Sequence, residues 1–111
     1  RIDYDTHMAL IAVTDAGGRE QQIAVARYIV AADRASCEFA IVVADAWQQR
    51  GVGALLMQAL IDAARARGLR TMFGEVLHGN RKMLELMGRL GFQVKPDDAD
   101  PRQVRVELKL Q

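Results

Sequence analysis

Between Cys37 and Arg67 the hydrophobic pattern changes period, and this change constrains the fold more than any other feature of the chain. Phe39-Ala40-Ile41-Val42-Val43 is continuously apolar, which predicts a strand in the interior of a sheet, covered on both faces. From about Gly53 to Arg67, Leu55, Leu56, Ala59, Leu60, Ala63 and Ala64 recur at three- and four-residue steps and mark one face of a helix. The connection, Asp45-Ala46-Trp47-Gln48-Gln49-Arg50-Gly51-Val52-Gly53, is polar and contains glycine. Such a junction aims several free backbone N–H groups at one spot, at the positive end of the helix dipole. Gly51 and Gly53 lack Cβ atoms, so a phosphate can approach the backbone there, and Arg50 adds a cation. The plainer alternative is a helix entry that needs only flexible residues. A Walker loop is excluded because no Gly-Lys-Ser/Thr follows. A Rossmann fingerprint fits badly, with its third glycine missing and hairpin-connected strands before it.

The flanking segments supply those strands. His7 to Val13 leads into Gly17-Gly18, a turn signal, and Ile23 to Val30 reads as the returning strand of an antiparallel hairpin. Cys37 to Val43 is the third strand. Gly68 sits where a left-handed helix cap belongs, with Arg65 and Arg67 in the last turn. Thr71 to Leu77 reads as a strand, and Asn80 as the N-cap of a second helix, Arg81 to Leu90, closed by Gly91. Phe92–Lys95 and Val104–Leu110 finish the chain as strands around the aspartate-rich turn Pro96–Pro101. The order is βββαβαββ: an α/β (α+β) fold, a mixed and mainly antiparallel sheet with helices packed on it.

At 111 residues there is room for one hydrophobic core, so residues 1–111 form a single domain. A net charge of +1 shows no basic excess of the kind a nucleic-acid binder displays. No apolar run approaches the roughly 20 residues of a membrane span. Cys37 is the single cysteine, which fits a reducing cytoplasm and removes the disulfide-stapled class. Opening with Arg1 rather than Met suggests a piece of a longer protein.

Gln48-x-x-Gly51-x-Gly53, on a strand–loop–helix after a hairpin, resembles the acetyl-CoA pyrophosphate loop of the GNAT N-acetyltransferases. Asn80, eleven residues before Gly91-Phe92, is similar to that family's C-terminal helix-plus-Gly-Phe signature. Ile2-Asp3-Tyr4-Asp5 and Glu38-Phe39-Ala40-Ile41-Val42-Val43 resemble, more narrowly, bacterial protein lysine acetyltransferases, which modify acyl-CoA synthetases. The resemblance covers essentially the whole chain. It implies acetyl-CoA as acyl donor, with the pantetheine along Ile41, Val42 and Val43. The diphosphate would sit on Gln48, Gln49, Arg50, Gly51, Val52, Gly53 and Ala54, and Asn80 and Met87 would also contact the cofactor. Two departures stand out. Family members begin with a further strand and one or two helices that this chain lacks. Many also carry a tyrosine four residues before the glycine of Gly-Phe, as general acid for the departing thiolate, and here Met87 stands there.

Acetyl transfer to an amine needs the neutral amine. A lysine of pKa near 10.4 is unprotonated in about 1 of 2,500 copies at pH 7, a deficit of about 4.6 kcal/mol. A positioned base contributes about 10²–10⁴-fold. Glu38, inside an otherwise apolar strand, is the candidate catalytic base, and burial there would favour its protonated form. The alternative is a surface carboxylate paired with an arginine such as Arg27. Cys37 should face the opposite side of the strand and reads as a small buried hydrophobe. His7 and His78 are isolated, and no Cys/His spacing supports a metal. Met83, Met87 and Leu90 form a helical stripe. Asn80 has two roles open to it, N-cap and cofactor ligand. Trp47 is either a loop anchor or part of the cofactor's rim.

The expected activity is acetyl-CoA-dependent N-acetylation of a primary amine, with protein lysine as acceptor, an acyl-CoA synthetase among the partners and a homodimer as a further partner expectation. A small-molecule amine acceptor and a catalytically silent acyl-CoA sensor are the alternatives.

Overall fold

Gly17 and Gly18 both adopt positive φ, +62° and +76°, the left-handed pair that a two-residue hairpin turn requires. They join strand β1 (His7–Ala16) to β2 (Arg19–Val30), which pair antiparallel with a register shift at Ala12/Val13. Strand β3 (Ser36–Val43) follows, then a 3-10 turn at Asp45–Trp47 and helix α1 (Val52–Ala66). Strand β4 (Thr71–Leu77), helix α2 (Arg81–Leu90) and strands β5 (Gln93–Pro96) and β6 (Gln103–Lys109) complete the predicted order. This computed structural model describes residues 6–111, so the Ile2–Asp5 segment lies outside the described residues. No helix among those residues is long and apolar enough to cross a membrane.

The six strands form one sheet in the order β1-β2-β3-β4-β6-β5. Every pairing is antiparallel except β3 with β4. That parallel pair is short: Ser36, Cys37 and Glu38 face Thr71, Met72 and Phe73, and the pairing then ends. Both strands continue past this point, β3 to Val43 and β4 to Leu77, so the sheet opens as a wedge between them.

The core lies on one side of the sheet. Tyr28, Cys37, Phe39, Met72 and Val106 meet Met57, Leu60 and Ile61 of α1 and Met87 of α2. Burying these side chains supplies the main driving force for folding. The expectation that β3 is covered on both faces requires correction. The strand is interior to the sheet, but Cys37 and Phe39 are buried while Glu38, Ala40 and Val42 alternate with them as exposed residues. Both helices contribute to the core on the Phe39 side. Among the described residues nothing covers the opposite face, where Val42 is 70% exposed. An unbroken apolar run reports hydrophobicity on both faces of a strand without reporting what covers each.

Both helix ends are explained locally. Asn80 Oδ1 accepts from the Met83 N–H at 3.2 Å and caps α2. Gly91, at φ +96°, ends the same helix in the left-handed region, and its N–H bonds back to Gly88 and Met87.

Candidate active site

The wedge between β3 and β4 determines where a ligand can lie. A groove of about 330 Å³ runs between the end of β3, the loop before α1 and one face of α2. A second cavity, of about 350 Å³, occupies the wedge itself. Ile41, Asn80 and Met83 line both, so the two spaces share a wall.

The loop before α1 is built to present backbone N–H groups. Gly51 takes φ +83° at the N-cap position, and no side chain caps the helix. The first intrahelical bond runs from Leu55 N–H to the Gly51 carbonyl at 3.0 Å. The N–H groups of Val52, Gly53 and Ala54 precede it and have no acceptor within the helix. Gln48 Nε2 donates to the Val43 carbonyl and to Asp45 Oδ1, each at 3.2 Å, and so fastens the loop to the end of β3. Gln49 is held at φ +62°, an uncommon conformation for a residue with a side chain, at the point where the chain turns into the helix.

Most of the predicted cofactor positions converge on this groove. Ile41, Val42 and Val43 form one wall, and Gln48, Gln49, Gly51, Gly53 and Ala54 form the end. Asn80 lines it from the start of α2 while also capping that helix. A Cβ on Gly53 would stand 3.6 Å from Leu86 Cδ2 and from Val43 Cγ2, both residues of the groove's lining.

Three predicted contacts do not line it. Val52 is not among the lining residues. Arg50 places its guanidinium over the Trp47 ring, 4.3 Å from the centroid, and its Nη1 donates to the Ala46 carbonyl at 3.5 Å. The cation expected at the phosphate loop therefore stacks on Trp47 of the same loop. Met87 is fully buried in the core and lines neither cavity. One turn earlier, Met83 is the α2 methionine that borders both. Helical periodicity groups the two methionines on one stripe and does not say which end of the stripe meets the groove.

Glu38 lines the second cavity, on the exposed face of the sheet. The burial expected for it is not found, for the same reason that β3 is open on that side. Among the described residues no ion pair joins it to Arg27. Cys37 points the opposite way and is completely buried, and burial pushes its thiol up to about 11. It is a core residue, not a nucleophile.

The structure adds residues that sequence reasoning missed. Lys82, Leu86 and Arg89 line the groove from α2, so its charged wall comes from the second helix. Glu75 joins Glu38 in the second cavity. Glu75 Oε2 accepts from Gln103 Nε2 at 2.6 Å, and the same amide nitrogen donates to Asp97 Oδ2 at 2.8 Å. Gln103 thereby spends both its N–H bonds on carboxylates and ties β4 to the aspartate-rich turn. The signal for Glu75 was its strand parity. It lies two residues beyond Phe73, the register partner of Glu38, and so shares that face.

A groove with an uncapped helix N-terminus, two α2 cations and an apolar wall at Ile41, Val43 and Leu86 fits a long thioester whose anionic end meets the helix. Comparison with known proteins agrees with this chemistry. Residues 2–92 match the Acetyltransferase (GNAT) family. An acetyltransferase of Pseudomonas aeruginosa is 37% identical over 98% of this chain, and the chain spans 59% of that relative's length. The L-methionine sulfoximine/L-methionine sulfone acetyltransferase of the same organism is 39% identical over 55% of this chain and 36% of its own length. The crystal structure of the GNAT domain of S. lividans PAT superposes with a TM-score of 0.84 at 31% identity, covering 98% of this chain and 64% of that one. By sequence and fold, the chain belongs to the GNAT acetyltransferase family.

Proposed function

We propose that this domain transfers an acetyl group from acetyl-CoA to a primary amine, with the side chain of a protein lysine as acceptor and Glu38 as the base. One observation carries the reading. The cofactor groove meets, across Ile41, Asn80 and Met83, a cavity whose charged lining residues are the carboxylates Glu38 and Glu75. An acceptor amine arrives as an ammonium ion, and a mouth of that sign attracts it. Bound acetyl-CoA supplies the acetyl thioester; transfer forms an N–C bond, breaks the C–S bond and releases CoA thiol.

The work left to the protein is to hold the amine and remove its proton. Glu38 accepts that proton, directly or through one water, while Glu75, braced by Gln103, lines the same cavity. No described tyrosine lines either cavity, so the departing sulfur takes its proton from water or from the acceptor's own ammonium.

The two carboxylates also bear on the choice of acceptor. An α-amino acid such as methionine sulfoximine carries a carboxylate next to its amine, and the wedge cavity presents no described cation to receive it. A lysine side chain within a protein has no such group nearby. The resemblance of Glu38–Val43 to protein lysine acetyltransferases supports the same acceptor class, and acyl-CoA synthetases are the partners it suggests. The unpaired Cys37 suits a cytoplasmic setting.

The direct test gives the protein acetyl-CoA with, in parallel, a lysine-containing peptide and free α-amino acids, and reads CoA release. Turnover on the peptide exceeding that on the amino acids by at least tenfold supports the reading. The reverse order would assign the domain to small amines, and tight acetyl-CoA binding without any transfer would make it a sensor.

A further inference from the structure

We infer that Arg89 recognises the 3′-phosphate of the cofactor and lets the protein distinguish CoA from its 3′-dephospho form. The inference rests on reading the groove as an acyl-CoA site, and it concerns the end of the ligand farthest from the chemistry.

The argument is one of order along the groove. Ile41, Asn80 and Met83 mark its inner end, where it meets the wedge cavity. Leu86 stands midway, opposite Gly53, where an added Cβ would lie 3.6 Å from Leu86 Cδ2. Arg89 is three residues further along α2, about 4.5 Å farther out at 1.5 Å per residue. A ligand with its acyl end inside and its diphosphate on the N–H groups of Val52, Gly53 and Ala54 therefore brings its nucleotide end past Arg89.

Charge points the same way. The helix N-terminus answers the diphosphate with backbone dipoles. A 3′-phosphate is a monoester carrying about −1.5 to −2 at neutral pH, and it needs a separate partner. Arg50, the cation within the loop itself, lies on Trp47 instead of in the groove lining. Arg89 lines the groove, and among the described residues neither it nor Lys82 has an ion-pair partner. Of the two, Lys82 belongs to the first turn of α2, near Asn80 and the acyl end, and Arg89 to the last turn. A guanidinium can also meet a phosphate with two parallel hydrogen bonds, which an ammonium cannot do.

The experiment is calorimetric titration of the protein with CoA and with 3′-dephospho-CoA, at low and at physiological salt, with thermal melts to confirm folding. The native protein should bind CoA about tenfold more tightly, and the preference should shrink as salt rises. Arg89→Gln should bring the two ligands to within about twofold by weakening CoA alone. Arg89→Lys should keep part of the preference, and Arg50→Gln should keep all of it. Equal affinity of the native protein for both ligands would overturn the assignment, as would an Arg89→Gln variant that weakens both equally or one that keeps the full preference. No binding of either ligand would instead overturn the reading of the groove, and the assignment with it.

Discussion

The ring of Phe39 occupies the space in which a side chain at Gly74 of β4 would begin. A Cβ at Gly74 would stand 2.5 Å from the Phe39 ring carbon Cε1, closer than packed atoms come. The same ring meets Phe92 with centroids 5.4 Å apart, so it cannot retreat freely in that direction. Phe39 follows Glu38 directly, and this contact fixes β3 at the point where it parts from β4.

Gly74→Ala should therefore destabilise the protein by about 1–3 kcal/mol, the usual cost of overpacking a core. Replacing Phe39 by Leu in the same molecule should recover part of that loss, because the two changes share one contact. Urea denaturation of the two single variants and the double variant measures this coupling. Strictly additive losses would show that the ring is not what excludes a side chain at position 74.

Gly53 offers the cleaner test of the phosphate loop. At Gly51 the positive φ makes any substitution strained, so loss of binding there would mix folding with recognition. A Cβ on Gly53 meets only ordinary contacts at 3.6–3.9 Å, yet the branches of a valine would extend from a position that lines the groove. Gly53→Val should lower acetyl-CoA affinity at least tenfold while Gly53→Ala changes it by much less. Calorimetry on both variants checks this, and unchanged affinity in a folded Gly53→Val would remove the contact.

Much of this site could be read from the residues, for physical reasons. Glycine spacing at Gly51 and Gly53, the Asn80 cap and the Gly91 stop depend on backbone conformation, which is local and written in residue type. The direction taken by long side chains is not local. Arg50 turns onto Trp47, and the groove receives its cations from Lys82 and Arg89, thirty and more residues away in sequence. Met83 and Met87 share a helical stripe, and only the packing of α2 decides which of them borders the groove. The open face at Glu38 and the presence of Glu75 in the same cavity depend on where β3 and β4 part, a tertiary fact with no sequence period of its own.

Cys37 should behave as part of the core. With burial raising its thiol to about 11, the fraction ionised at neutral pH is negligible and the sulfur has no access to reagent. A disulfide-exchange reagent at pH 8 should label the native protein only slowly and the urea-unfolded protein fully. Rapid labelling of the native form would place the thiol outside the core.

Acid should weaken the sheet at its β5–β6 edge. Hydrogen bonds from Lys95 and then Arg105 hold the Glu107 carboxyl below its usual range. A carboxyl lowered in the folded state stabilises that state above the unfolded value, about 4.3. As pH falls through that value and below, the unfolded chain takes up the proton first, and the stabilisation is lost. Asp33, Asp97 and Asp100 are lowered in the same direction by their own hydrogen bonds. Melting temperature should fall between about pH 5 and pH 3. Glu107→Gln should show a shallower fall over the same interval, and parallel curves would mean that this pairing adds nothing.

The central claim is that Glu38 removes the proton of the acceptor amine, and one comparison tests it most directly: the acetyl-transfer rates of the native protein and Glu38→Gln, with a lysine peptide, from pH 6 to pH 9. The substitution keeps the shape of an exposed side chain that does not line the cofactor groove, so acetyl-CoA affinity should remain close to native. Transfer at neutral pH should fall about 10²–10⁴-fold, and part of the loss should return at alkaline pH, where more of the amine is already neutral. Equal rates for the two proteins across the whole range would contradict the account and remove Glu38 from the mechanism.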